Sequence, residues 1–244
     1  MDALPDVGRH AQEAPGPAAV EARQRWRLVL RREPDAAALN KRELTRAFDE
    51  ALAASGLPLV PSGRSRSRIA LGAPLPVGMA AERELADLLL AERRPVHEVR
   101  DRLAAIMPAG YRLVDLHDVW LGEPSLVSQV VAADYRVILD PPVPAAELER
   151  AAAALLGAEQ LPRERAKGGG SVRYDLRPLL VGVSVDRSAA LSGASAAVRI
   201  RTRFHAELGT GRPDEVVEAL AERLERPLEA AVIVRERVLL AGET

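Results

Sequence analysis

The sequence contains no cysteine. A chain without thiolates holds no iron–sulfur cluster by the usual cysteine ligation and no cysteine-ligated zinc. Aromatic residues are scarce at 3%, so the core must be built from leucine, valine, isoleucine and alanine. No run approaches the roughly 18 apolar residues that a membrane span needs. Residues 1–24 are rich in Ala, Pro, Gly and acids and have no apolar h-region, so they read as a disordered tail on a cytoplasmic protein. Formal net charge is -1, which gives no global attraction to nucleic acid or membrane. Lysine is nearly missing too: Lys41 and Lys167 are the only two, and arginine supplies the other basic groups. With the alanine runs this indicates a compositional bias, which lowers the weight of any single arginine as a functional signal.

What is present is organised around Asn40 to Leu90. Asn40 is a good N-cap, and Glu43 stands three residues on, the spacing of a reciprocal capping box. Leu44, Ala47, Phe48, Ala51 and Leu52 then lay one apolar stripe along a helix. Gly56 offers a left-handed stop and Pro58 forbids continuation. A basic loop, SGRSRSRI, follows, and then APLPVG, whose two prolines exclude a regular central strand.

Around that stretch the periodicity gives a repeated order. Arg25 to Arg32 alternates as a strand, the capped helix follows, and Arg68 to Leu71 and Glu84 to Leu90 read as strands. Pro95 opens a second helix, and Tyr111 to Trp120 is a fourth strand. In the second half Asp134 to Leu139 is a strand, and Pro144 opens a helix ended by Gly157. Val172 to Leu176 and Leu179 to Val185 follow as strands, or as one strand bent at Pro178. The alternating segment around Val198 to Phe204, a helix from Pro213 and a strand from Ala230 to Leu239 complete it. Two βαββαβ units predict an α+β protein of tandem ferredoxin-like domains, residues 25–127 and 128–244. Each unit would have an antiparallel sheet with its helices on one face.

Several residues in this pattern resemble the radical-SAM-linked domain family of unknown function. They are Arg46 and Ala47, Leu57-Pro58, Ser62, Ile69, Pro74-Leu75-Pro76, Gly78, Glu82, Glu84 and Asp87, with Asp175-Leu176-Arg177-Pro178 in the second half. Members are often fused to, or encoded near, B12-binding radical SAM enzymes, and in some genomes beside ribonuclease E/G and ribosomal protein genes. The resemblance therefore implies a radical SAM enzyme acting in trans, or a partner associated with RNA, the ribosome or a ribonuclease. Two departures stand out. LNKREL replaces the family's Ser-His-Leu-Asp, and GRSRSR replaces its Gly-Phe-Asn-Pro-His-Pro loop, so both family histidines are missing.

The candidate binding groups are mostly guanidinium. If Trp26, Leu28 and Leu30 face the helices, then Arg25, Arg27 and Arg31 face away from them, as do Arg199, Arg201 and Arg203 in the second half. Arg64, Arg66 and Arg68 add a basic loop, and Arg163, Arg165, Lys167 and Arg173 surround the triple glycine at 168–170. Such groups suit phosphates through bidentate hydrogen bonds and charge; equally, they form solvated faces or pair with acids. Sheets of this topology that bind nucleic acid usually stack bases on aromatics, and none alternate here. Gly168-Gly169-Gly170 reads as a hairpin connection, since the Lys-Ser/Thr of a phosphate loop does not follow it. Asp115, His117 and Asp118 offer few ligands for a metal and read as a solvated strand end, and His205 as a capping or packing residue. Asp175 and Arg177 share a strand face, where they would orient each other or a ligand, or simply serve the bend at Pro178. No nucleophile–base or paired-carboxylate arrangement stands out. The expectation is a non-catalytic accessory protein, with no cofactor, that docks RNA or a protein partner; the rival is an enzyme with an inter-domain site around Asp175 and Arg177.

Overall fold

The computed structural model describes residues 20–61, 67–73, 75–167, 169–187 and 197–243. Its first half runs β1 (Gln24–Arg32), α1 (Lys41–Ala54), β2 (Leu59–Val60), β3 (Ala70–Leu71), β4 (Ala80–Leu90), α2 (Val96–Ile106) and β5 (Tyr111–Val119). A short helix α3 (Leu126–Gln129) leads into β6 (Val130–Asp140), α4 (Ala145–Gly157), β7 (Pro162–Lys167), β8 (Gly170–Asp175) and β9 (Leu180–Asp186). Then come β10 (Ala197–His205), β11 (Gly209–Thr210), α5 (Pro213–Leu224) and β12 (Glu229–Leu240).

The local chemistry explains the best-marked helix. The Asn40 side chain accepts from the amides of Arg42 and Glu43, and Glu43 accepts from the Asn40 amide, so both arms of the capping box are made. Leu44, Phe48 and Leu52 are the buried positions, and Gly56 sits at φ 67°, where a side chain would be strained. The strands β7 and β8 on either side of the glycine run pair as a hairpin, with Lys167 opposite Gly170.

Ten strands form one mixed, mostly antiparallel sheet in the order β11-β10-β6-β12-β4-β1-β5. The far side of β10 also takes β9, and β4 also takes β2 and β3. Within the first half every pairing is antiparallel, as it is in the second. The halves meet through a single parallel contact, Val234 beside Ala80 and Arg235 beside Ala81. The main sheets of the two halves are fused edge to edge, because β12 and β4 find in each other the backbone partners that two exposed edges would lack, and the β7–β8 hairpin stands as a separate two-stranded sheet.

All four long helices cover one face. Trp26, Leu28 and Leu30 of β1 and Ala86, Leu88 and Leu90 of β4 pack with α1 and α2 in one core. Tyr135, Val137 and Leu139 of β6 and Val198 and Ile200 of β10 pack with α4 and α5 in the other. Burying side chains of this size stabilises by about 1.5–3 kcal/mol each. A third cluster, Ala73, Leu126, Val130, Val238 and Leu240, fills the wedge where β4 and β12 diverge beyond their short contact. The APLPVG segment crosses the boundary: Leu75 and Met79 belong to the second half's core although they lie in the first half of the sequence.

Between the two main cores lies a buried polar seam. Arg235 is 1% exposed and donates to both oxygens of Glu84 and to the Ala73 carbonyl. Arg32, also buried, donates to the carbonyls of Ala36, Leu39 and Pro76. One arginine from each half thus holds the proline segment at the junction. Burial pushes the neighbouring Tyr111 hydroxyl up to about 12, against the pull of Arg32.

Candidate polyanion interface on the open sheet face

The strand faces turned away from the helices carry the candidate groups, and they divide into two regions. In the first half Arg25 and Arg27 are not solvated. Both are buried and both donate to Asp87 on the adjacent strand, Arg25 at 2.5 and 2.8 Å and Arg27 at 2.9 and 3.1 Å. The expectation that they line a free face is corrected here: one carboxylate set between two guanidiniums, under the loop following β5, satisfies them without solvent. Only Arg31 of that strand is exposed, and it pairs with Glu33.

In the second half the arginine strand does face outward. Arg199 meets Asp186 at 2.9 Å, and Arg201 donates twice to Asp134 at 2.6 and 3.0 Å. Arg237 also reaches Asp134, at 2.8 Å, and Arg136 bridges Glu82 and Glu236. Burial draws the Asp134 carboxyl upward, but its two guanidinium partners outweigh that and hold it below the usual carboxylate range. Arg203 and Arg83 are exposed and have no acidic partner among the described residues. Arg83, Arg136, Arg199, Arg201, Arg203 and Arg237 therefore stand on this surface with Glu82, Asp134, Asp186 and Glu236 among them and Glu123 and Glu243 at its edge. Two shallow concavities of about 400 and 530 Å³ lie along it, and Arg237 borders both. The larger is the mouth of the wedge, with Arg27, Arg83 and Leu85 on one wall and Leu239 and Glu243 on the other.

The remaining candidates are placed elsewhere. Arg165 lies on the helix side, donating to Glu215, the Tyr174 hydroxyl and the Thr210 carbonyl, with its guanidinium 4.8 Å from the Tyr174 ring centroid. Arg163 reaches the Glu215 carbonyl and Glu222, so both arginines fasten the β7–β8 hairpin to α5. Arg173 is exposed on that hairpin and pairs with Glu164. Arg68 is half-buried beside α1, where its amide bonds Asp49. Arg64, Arg66 and the Lys167 side chain lie outside the described residues.

Asp175 and Arg177 do not form a ligand pair. Leu176 between them is in the right-handed helical region and a short 3-10 turn follows, so the shared strand face is broken. The Asp175 carboxylate accepts from the amides of Leu161 and Arg177, closing the hairpin's base. Arg177 donates to the carbonyls of Leu156 and Ala158, where α4 ends, and to Leu180. These are the orphan acceptors that a helix C-terminus leaves, and the guanidinium satisfies them. His205 accepts from the amides of Glu207 and Leu208, capping a turn. His117 lies 3.3 Å from Asp115, and among the described residues no three His, Asp or Glu side chains gather to hold a metal.

Arg83, Arg136 and Arg237 were not legible as site residues. Arg83 and Arg136 are each the one arginine of their strand and Arg237 shares its strand with the buried Arg235, and only the cross-strand register gathers the three. Glu82, Glu84 and Asp87, three residues of the family resemblance, prove to be the acids that pair Arg136, Arg235 and the Arg25–Arg27 couple.

No curated protein matches the chain. Among solved structures it is similar to a chain in the crystal structure of a Cbf5-Nop10-Gar1 complex, at 10% identity and a TM-score of 0.49, covering 87% of this chain and 48% of that one. The archaeal box H/ACA sRNP Nop10-Cbf5 complex gives 11% identity and a TM-score of 0.42, covering 90% and 50%. The chain thus spans about half the length of these matches. No helix among the described residues is long and apolar enough to cross a membrane. A family model described as "Uncharacterized protein conserved in bacteria (DUF2344)" matches residues 25–227, and the chain belongs to that family.

Proposed function

We propose that this protein is a non-catalytic docking module that holds single-stranded RNA on the open face of its sheet. The observation that carries this reading is the pair of exposed guanidiniums, Arg83 and Arg203, that no acid pairs among the described residues, on the same sheet face as Arg237. An exposed guanidinium with no acid beside it has its donors free for phosphate oxygens. A sheet also spaces such groups along strands at about 6.6–6.8 Å for alternate residues, so several phosphates can be met in succession. The halves are read as ferredoxin-like units, 25–127 and 128–244; the antiparallel orders β5-β1-β4-β3 and β12-β6-β10-β9 support that. By sequence resemblance alone, the assembly served is a radical SAM system with its cluster on the partner, in the cytoplasm.

Titration of a fluorescently labelled oligouridine by anisotropy, at salt from about 50 to 200 mM, tests the proposal. Saturable binding that weakens steeply with salt, and loses both affinity and salt slope in Arg83→Ala/Arg203→Ala, is the expected result. Absence of binding at the lowest salt, or equal binding by the double variant, overturns it.

A further inference from the structure

We infer that Trp120 is a stacking platform for an unpaired base of the RNA held on the open face, an inference that rests on the docking function proposed above. The chain has two tryptophans with opposite fates. Trp26 is 3% exposed, in the first core, whereas Trp120 is 74% exposed on the loop that follows β5. Leaving the largest apolar side chain in water forgoes its burial, so a tryptophan displayed on a fixed loop points to a partner.

The loop that carries it is fixed. A Cβ added at Gly122 would lie 2.5 Å from Cη2 and Cζ2 of the Trp120 ring, so the indole lies directly over the Gly122 backbone. The Trp120 carbonyl accepts from the Glu123 amide at 3.1 Å, closing the turn. Arg25 then fixes the loop from below, donating to the Glu123 carbonyl at 2.9 Å and the Pro124 carbonyl at 3.0 Å, while Gln129 reaches Pro124 at 2.7 Å. Arg25 is itself held by Asp87, so the loop is bolted to the buried ion-pair triad under the open face.

The position fits the chemistry. Val119 and Glu123, on either side of the Trp120 turn, border the same wedge mouth as Arg83 and Arg237. A strand of RNA running along that mouth would bring phosphates to the guanidiniums and a base to the indole. Stacking on a π face needs no particular hydrogen-bond pattern, so the contact accepts any base that is not already paired. Asp118 and Glu123 near the turn are acidic and would repel phosphates, so the phosphates would be met at Arg83 and Arg237 and only the base at the indole. The strands lack the alternating aromatics that such sheets normally use; this loop supplies one beside the sheet.

The two tryptophans make the test intrinsic. An oligouridine of about 12 nucleotides, within the usual span of such sites, is added to the full chain. Tryptophan emission and the anisotropy of the labelled oligonucleotide are followed in parallel. Quenching of the exposed emission along the anisotropy curve is expected. Trp120→Leu should weaken binding roughly tenfold, Trp120→Phe should retain most of it, and the urea midpoint should stay unchanged in both. A duplex of equal length should bind without quenching. Should the oligouridine bind, and depend on Arg83 and Arg203, while emission stays constant and Trp120→Leu binds like wild type, the stacking role is wrong and the docking function stands. Should anisotropy show no binding at all, both fail. Quenching that follows protein concentration alone would make Trp120 a self-contact and overturn the inference.

Discussion

The guanidinium of Arg235 and the carboxylate of Glu84 lie 151 residues apart in sequence and form a buried ion pair across the junction of the two halves. Burial alone would lower the arginine's pKa, but the Glu84 carboxylate beside it outweighs that and holds it above the ordinary value. Neither group has solvent to fall back on. Removing one partner therefore leaves an uncompensated charge, and Glu84→Gln or Arg235→Met should each lose about 3–5 kcal/mol. The double replacement Glu84→Leu/Arg235→Met should regain most of that loss, since a packed apolar pair carries no desolvation cost. Urea denaturation of the four proteins gives the coupling.

Asp134 holds Arg201 and Arg237 against itself on the open face. Asp134→Asn should release both to solvent, so oligouridine affinity should rise several-fold and the salt slope should steepen by up to about two counterions. The same carboxyl has a depressed pKa in the folded state. Its stabilising contribution is complete above the ordinary aspartate value of about 3.9 and is lost as pH falls through the depressed value. Acid titration of stability should accordingly show a shallower limb below about pH 4 in the variant.

All three tyrosines have raised pKa values, Tyr111 at about 12, each chiefly through burial. A phenol whose folded pKa is raised favours the folded state below the unfolded value of about 10, and that contribution disappears as pH climbs through the folded value. Ultraviolet titration of the native protein should show less phenolate at about pH 10 than the unfolded chain does, with the rise recovered on adding denaturant.

The capping box on α1 is exposed and local, so it should behave as an independent element. Asn40→Ala should cost about 1 kcal/mol in thermal or urea unfolding, and leave oligouridine binding untouched, because α1 lies on the covered side of the sheet.

How much of this was legible follows from range. The capping box at Asn40, the stop at Gly56 and the alternation of Val198, Ile200 and Thr202 are short-range patterns, and the structure has them where periodicity put them. Edge-to-edge fusion depends on Val234 meeting Ala80, a contact between distant strands that no periodicity encodes. The arginines show the same limit. Arg25 and Arg199 sit in equivalent alternations, yet one is buried against Asp87 and the other is exposed beside Asp186. Alternation specifies the face of a strand; what covers that face is set by the neighbouring strand and the loop above it. Trp120 reads in sequence as the last residue of a strand, and only the turn through Gly122 displays its ring.

The parallel contact of two residue pairs between β12 and β4 also constrains how the molecule can be dissected. Cutting the chain after residue 127 would leave each piece with an unclothed strand margin and half of a charged seam, Glu84 on one and Arg235 on the other. The fragments would seek each other, or copies of themselves, through those margins, so the two halves are not interchangeable modules despite their matching layouts.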